Sequence, residues 1–465
     1  MKALHVVWIF LVCAWGLQAQ LRLSSVVGDN MVLKRNSTVR LWGWDESVRK
    51  VRVVAEWNPT DTLEAVCDMY SRFEVKLKTP QAGGPYKLTF LGSSSKVVEN
   101  VMIGEVWLCS GQSNMQFSWN ISYGTPVNKK EDMKTADKPD IRLMNVQRVP
   151  AKTPQNYSFG EWKVCTPETL PDYSCVAYHF AERLHEMLDI PIGIVVSAWG
   201  GTPAEIWVPA EALDTIPAVR NEWKKIKPNI WWPTYNGEVY NGMIAPLAPF
   251  SFSGAIWYQG ESNRERYAVY DTLMRALIDG WRTAFETDLP FYFVQIAPFD
   301  GYEVKGQIPY LREQQALTAQ YPGCGMVTIN DLVDDVKNIH PGNKKDVGIR
   351  LANLALNKTY GNKAIDCSYP EIANVQPEGN KLIVTFDGVE TVEQESEEKT
   401  GFEIAGEDGV FVPAKIKIMN KNKKIKIWSP KVKDPRYLRY LFDDSSVCCI
   451  KGNNGLPMLP YRNDK

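Results

Sequence analysis

Between residues 101 and 360 the chain alternates short apolar runs with stretches whose apolar residues recur at helical spacing, and few folds satisfy that alternation. The runs are Val106 to Cys109, Ile192 to Val196, Gly254 to Tyr258, Phe291 to Ile296 and Met326 to Ile329. Each is too short for a typical helix and apolar enough for a strand covered on both faces. Between them, Cys175 to Leu188 sets Val176, Phe180, Leu184 and Leu188 on one stripe, and Tyr267 to Phe285, Tyr310 to Gln320 and Asp346 to Leu356 are similar. Buried strands alternating with amphipathic helices predict a parallel sheet with helices on both faces. Ligands of such sheets sit at the carboxyl ends of the strands. Three glycine-containing polar turns follow strand ends: Ser110-Gly111-Gln112-Ser113, Trp199-Gly200-Gly201 and Gln259-Gly260-Glu261. The pattern predicts that they converge on one rim.

The flanks differ. Residues 20 to 100 read as short period-two strands, such as Thr38 to Gly43, Lys50 to Ala55 and Arg72 to Leu77, which predicts a small sandwich-like β region. Residues 361 to 465 return to that pattern. Their Lys-Ile alternation at Lys415 to Ile418 and Lys424 to Ile427 reads as a solvated strand face, not a nucleic-acid patch. The net charge of -1, from 53 basic and 54 acidic residues, gives no reason to expect nucleic acid or an anionic membrane.

At the start, Lys2 precedes an apolar run from Leu4 to Leu17 and then Ala19-Gln20, the layout of a signal peptide of residues 1–19. The expectation is a secreted or periplasmic protein that leaves the membrane once the signal is cut. Val12 is too bulky before Cys13 for a lipid-anchor site. Eight cysteines follow the signal, scattered and without a CxxC pair, so no zinc site is expected. Cys165 and Cys175 are close enough in sequence to pair.

Ser113, at a strand end where a helix can start, is the candidate nucleophile; the competing reading is a serine that merely caps that helix. A nucleophilic serine needs a base with a pKa near working pH. Beyond the signal there are three histidines. His179 and His185 share one helix six residues apart, roughly 600° of rotation, so they do not share a face. His340, in a strand-to-helix loop, is the remaining candidate. Of the 16 tryptophans most suit core packing, whereas Trp231-Trp232 beside Pro233 read as a loop that could stack sugar rings.

Trp107 to Met115 resembles the first signature block of the SGNH-superfamily carbohydrate acetylesterases, and more narrowly the sialate O-acetylesterase family. Ser197 to Glu205, Tyr240 to Leu247 running on to Trp257 to Asn263, and Ile339-His340-Pro341 with Lys344 and Gly348 match the same family in order. The resemblance covers roughly residues 100 to 355. It implies an α/β chain whose SGNH-type three-layer α/β/α hydrolase domain, residues 101–360, is flanked by the two β-rich regions. It implies Ser113 as nucleophile and His340 as base. The oxyanion would be held by the Ser113 and Gly201 N–H groups and by an amide from Gln259 or Asn263. Gln112, Glu261, Trp231 and Trp232 would bind substrate. No metal and no organic cofactor is implied. The substrate would be an acetylated carbohydrate, foremost O-acetylated sialic acid. An acetylated plant polysaccharide, or a binding protein with a degenerate site, are the alternatives, and the oligomeric state is open. One position departs from the superfamily: Lys337 and Asn338 stand where an aspartate is usual before the histidine. Asp334 or Asp335 is expected to supply the acid, with Asp331, Glu261 or a backbone carbonyl as substitutes.

Overall fold

The structure, a computed structural model, describes residues 20–395, 400–419, 421 and 423–464; the expected signal segment lies outside the described residues. At its centre runs a 17-residue strand, β1 (Ser95–Gly111). The sheet continues through β2 (Lys138–Asn145), β3 (Trp162–Cys165), β4 (Ile192–Ala198), β5 (Gly254–Tyr258), β6 (Phe291–Val294) and β7 (Cys324–Val327). Their order across the sheet is β3-β2-β4-β1-β5-β6-β7, and all neighbours are parallel except β3 and β2. Pairing on both edges of β1 sets Gly111 level with Ala198 of β4 and with Tyr258 of β5. The three polar turns therefore leave the sheet at one level, side by side.

Alternation along the strands gives each face its own core. Trp107, Cys109, Ile194, Val196, Ile256 and Tyr258 pack with the helices α2 (Cys175–Leu188) and α5 (Lys344–Lys358). Val106, Leu108, Val195, Ala255 and Trp257 pack with α3 (Tyr270–Phe285) and α4 (Ile308–Thr318). A further short helix, α1 (Ser113–Gln116), begins directly after the Gly111-Gln112 exit from β1. The start of α2 is set by Ser174, whose side chain accepts a hydrogen bond from the Ala177 N–H. Cys165 and Cys175 are not joined; both are buried, and the Cys165 thiol donates to the Ala136 carbonyl at 3.3 Å.

The N-terminal region forms two sheets. Arg22–Leu23, Thr38–Trp44 and Arg72–Lys78 make one. In the other, Lys50–Ala55, Asn58–Val66 and Gly83–Leu91 join the first half of β1, and Val32–Lys34 pairs alongside. The β1 strand thus runs unbroken past residue 100, and one hydrogen-bonded sheet serves both regions. The C-terminal region has its own core, in which Ile425 and Ile427 are buried while the alternating lysines stand outward. Among the described residues, no helix is long and apolar enough to cross a membrane.

Gly111 has φ of +136°, and a Cβ there would lie 2.2 Å from the Tyr258 carbonyl oxygen. Only glycine lets the two strand ends come this close. Gly111→Ala is expected to lose roughly 1–3 kcal/mol of stability from backbone strain alone. Urea unfolding measures that loss, and the Ser113 turn should shift with it.

Candidate active site

The turn after β1 is braced before Ser113 is presented. The Gln112 N–H donates to the Tyr258 carbonyl at 3.0 Å, and the Gln112 Oε1 accepts from the Gly260 N–H at 3.3 Å. Gln112 is buried and ties the first turn to the third. Ser113 then opens α1, so its N–H lies in a first turn that offers no intrahelical acceptor. His340 comes from the loop between β7 and α5, and its Nε2 lies 2.9 Å from the Ser113 Oγ. The Tyr123 ring packs on the imidazole with centroids 4.4 Å apart, and the Tyr123 hydroxyl donates to the Ser113 carbonyl at 3.2 Å. The second turn closes from the other side. A Cβ on Gly200 would lie 3.4 Å from the Ser113 Cβ. The Gly200 N–H is held by Gln116 at 2.8 Å, whereas the Gly201 N–H has no partner among the described residues. Gly201 has φ of +79°, and a Cβ there would meet the Trp232 ring at 2.4 Å.

The expected acids do not reach the imidazole. Asp334 and Asp335 are exposed; Asp334 accepts from the Asp335 N–H at 3.0 Å and Asp335 from the Lys337 N–H at 2.9 Å. Loop geometry turns both carboxylates back on their own backbone. The Asp331 carboxylate is covered and gripped by both Arg350 Nη atoms at 2.7 Å, with Lys451 at 3.4 Å. Asn338 accepts from the His340 backbone N–H at 2.9 Å, not from the ring. Among the described residues no carboxylate bonds the imidazole, which corrects the expectation for Asp334 and Asp335.

Gln259 also differs from its expected role. It is fully buried, and its amide N–H groups are spent on the Thr202 carbonyl at 3.3 Å and the Asn263 Oδ1 at 2.7 Å. It braces the second turn against the third and has no donor left for an oxyanion. Asn263, also fully buried, donates to Glu205 at 2.9 Å and accepts from the Ala204 N–H at 2.9 Å. Glu261 is buried and accepts from the Asn114 Nδ2 at 2.7 Å; burial pushes its carboxyl above the usual range. Trp231 stands out in solvent at 74% exposure, in a groove with Pro150, Trp199, Trp232, Tyr235 and Glu238.

Three neighbours of the pair escaped the sequence reading of roles. Tyr123 lies in an irregular stretch with no periodicity to mark it. Asn114 and Lys344 sit inside matched blocks but read as ordinary polar residues. The Lys344 ammonium, 1% exposed, donates to the Asn114 Oδ1 at 2.5 Å and lies 4.7 Å from the Phe117 ring centroid. Burial and then the Lys344 charge pull His340 down to about 4. A hydroxyl hydrogen-bonded to a neutral imidazole, beside free backbone N–H groups, is an arrangement suited to acyl transfer.

Residues 103–357 match the family described as carbohydrate esterase, sialic acid-specific acetylesterase. The chain is 26% identical over 420 residues to human sialate O-acetylesterase, covering 83% of this chain and 80% of the human one. The rat sialate O-acetylesterase is 27% identical over 448 residues, at 83% and 82% coverage. A crystal structure of a carbohydrate acetylesterase from Xanthomonas citri superposes with a TM-score of 0.84 at 30% identity, covering 96% of this chain and all of that one.

Three outcomes follow from the site's electrostatics. A base depressed to about 4 is neutral above that pH, so activity should persist through mildly acidic pH and be lost as pH drops toward 4. A pH-rate profile on a small acetate ester checks this. Asp334→Ala and Asp335→Ala should keep near-normal rates. Asp331→Ala, which strands Arg350, should cost about 3 kcal/mol of stability, measured by urea unfolding.

Proposed function

The chain belongs to the sialic acid-specific acetylesterase family of carbohydrate esterases, and from that premise we propose that it removes O-acetyl groups from a carboxylated sugar, O-acetylated sialic acid above all, through a Ser113–His340 pair. The contact that carries this reading is the 2.9 Å approach of His340 Nε2 to Ser113 Oγ. In the first step His340 takes the Ser113 proton while Oγ attacks the acetyl carbonyl. The Ser113 and Gly201 N–H groups receive the oxyanion, each such donor being worth on the order of 3 kcal/mol at the transition state. The imidazolium then gives its proton to the departing sugar oxygen, leaving an acetyl-serine. Water, deprotonated by His340, hydrolyses that ester and releases acetate. The SGNH-type three-layer architecture fits this role, as do residues 1–19 read as an export signal.

The substrate class rests on the rim. The groove beside Gly201 offers Trp199, Trp231 and Trp232 as faces for a sugar ring. Arg148, on the segment following β2, is exposed and makes no hydrogen bond or ion pair among the described residues. Its charge reaches the Tyr123 phenol, which itself touches Ser113. An unpaired guanidinium whose field reaches the tyrosine packed at Ser113 favours a carboxylate-bearing sugar over a neutral one, since it can bind that carboxylate in a bidentate fork. The curated relatives named for sialate point the same way.

Ser113→Ala should fold normally and lose several orders of magnitude of acetate release, as nucleophile deletions do. Substantial residual activity would place the nucleophile elsewhere. Arg148→Gln should raise KM for O-acetylated sialic acid roughly tenfold while leaving p-nitrophenyl acetate and acetylated xylan unchanged. Equal effects on charged and neutral substrates would remove the carboxylated-sugar reading and leave the esterase reading standing.

A further inference from the structure

Beneath the Ser113–His340 pair lies a buried polar chain that the mechanism above does not use. The Asn114 carboxamide joins four parts of the fold. It belongs to α1 next to the nucleophile. Its Nδ2 donates to Glu261 in the third turn at 2.7 Å and to the carbonyl of Ile339, the residue before His340, at 3.1 Å. Its Oδ1 accepts from Lys344 at the start of α5. One side chain thus fixes the nucleophile turn, the base loop and the third turn to each other.

Lys344 is an unusual partner for that amide. Its ammonium is fully inside the protein, and Asn114 is its one hydrogen-bond acceptor among the described residues. The Phe117 and Tyr258 rings cover it at 4.7 and 5.4 Å. Glu261, the carboxyl facing it, spends Oε1 on Asn114, and its Oε2 has no partner. The Cys175 thiol on α2 and the Tyr258 phenol on β5 also face it, and burial keeps both well above their ordinary values and neutral. Around His340 stand Ser113, Tyr123, Phe117 and this ammonium, and among the described residues no carboxylate bonds the ring. A buried ammonium with so few acceptors holds its proton weakly, and burial brings Lys344 down to about 7.

We propose that Asn114 and Lys344 are positioning residues which together do without a triad acid: the Asn114 amide holds the His340 loop against the nucleophile turn, and the charge state of Lys344 sets how strongly the imidazole binds a proton. While Lys344 is charged, the imidazole is kept neutral and available in acid. When Lys344 loses its proton, the imidazole becomes a stronger base. This rests on the Ser113–His340 reading, and its test compares variants in which that pair is intact.

The experiment is a kcat/KM profile for p-nitrophenyl acetate hydrolysis from acid to alkaline pH, with folding checked by circular dichroism. The wild-type profile should rise in two steps, near pH 4 and near pH 7. Lys344→Met should leave one step, moved from the first toward the ordinary histidine value, since the repelling charge is gone. Asn114→Asp, nearly isosteric but lacking both amide donors, should lower kcat at least about tenfold with KM within about twofold. A folded Lys344→Met with the wild-type profile, or a folded Asn114→Asp with wild-type kcat, overturns the proposal. If either variant does not fold, the histidine NMR titration of the wild type decides. A His340 midpoint well below the ordinary value, with a second inflection near neutral pH, supports the coupling, and a single ordinary midpoint overturns it. A wild-type protein inert toward every ester would instead count against the esterase reading, which the titration does not depend on.

Discussion

The pairing of Ser95–Gly111 along both edges is the constraint from which the site follows. Seven successive pairs with Ile192–Ala198 and five with Gly254–Tyr258 fix the register of three strands. A slip of one residue would exchange the two faces, burying Trp107 and Cys109 where Val106 and Leu108 now lie. The register also decides where the three strands stop. Because Gly111, Ala198 and Tyr258 are level, the residues that follow them meet without a long loop from any one strand. The carboxyl-end site is therefore a by-product of β-ladder geometry, and the turns need only small residues and internal braces to complete it. Gln112, Gln259 and Asn263 are those braces: buried amides whose hydrogen bonds run from one turn to the next.

The second constraint is electrostatic. A carboxylate behind the histidine would raise its basicity and compensate the imidazolium. Here the loop that could carry one turns Asp334 and Asp335 to solvent and commits Asp331 to Arg350. What stands near the imidazole instead is a cation, and its effect has the opposite sign. Orientation then has to come from packing and from backbone anchors. The Tyr123 ring, the Asn338 contact to the His340 N–H and the Asn114 contact to the Ile339 carbonyl supply them.

Much of this was legible in the sequence, for reasons that differ by element. Helix Cys175–Leu188 reads to the residue because its stripe is regular and Ser174 caps it. Five strands of the sheet are legible as apolar runs, whereas Lys138–Asn145 and Trp162–Cys165 are not, because charged and polar residues interrupt them. The start of α3 is read three residues early, since the turn from Glu261 to Val269 is 3-10 helical and carries a compatible pattern. The boundary near residue 100 is invisible as structure, because one strand crosses it and composition changes only on the far side of the ladder. The acid was misread because proximity in sequence says nothing about which way a carboxylate turns: Asx-type bonds to the next N–H groups capture Asp334 and Asp335 locally. Gln259, one of the two expected amide donors, departs from that role for a related reason. An amide in a signature block can face the substrate or its own fold, and only the partners of Gln259 reveal which.

The rim carries the last step of the argument. Trp232 covers Gly201, and Gly200 abuts Ser113, so the groove floor is continuous with the Ser113 turn. Ile230 and Trp231, 90% and 74% exposed, extend that floor outward. Large apolar groups left in water cost free energy in proportion to their area, and their clustering beside Ser113 suits a surface that stacks on a ring. Aromatic faces alone do not distinguish a neutral sugar from a charged one, because both present an apolar ring face. The distinction must come from a charge, and Arg148 is placed where its field already acts on the Tyr123 phenol at the nucleophile. Recognition would then divide between two kinds of contact: stacking that accepts many sugars, and one guanidinium that selects those bearing a carboxylate.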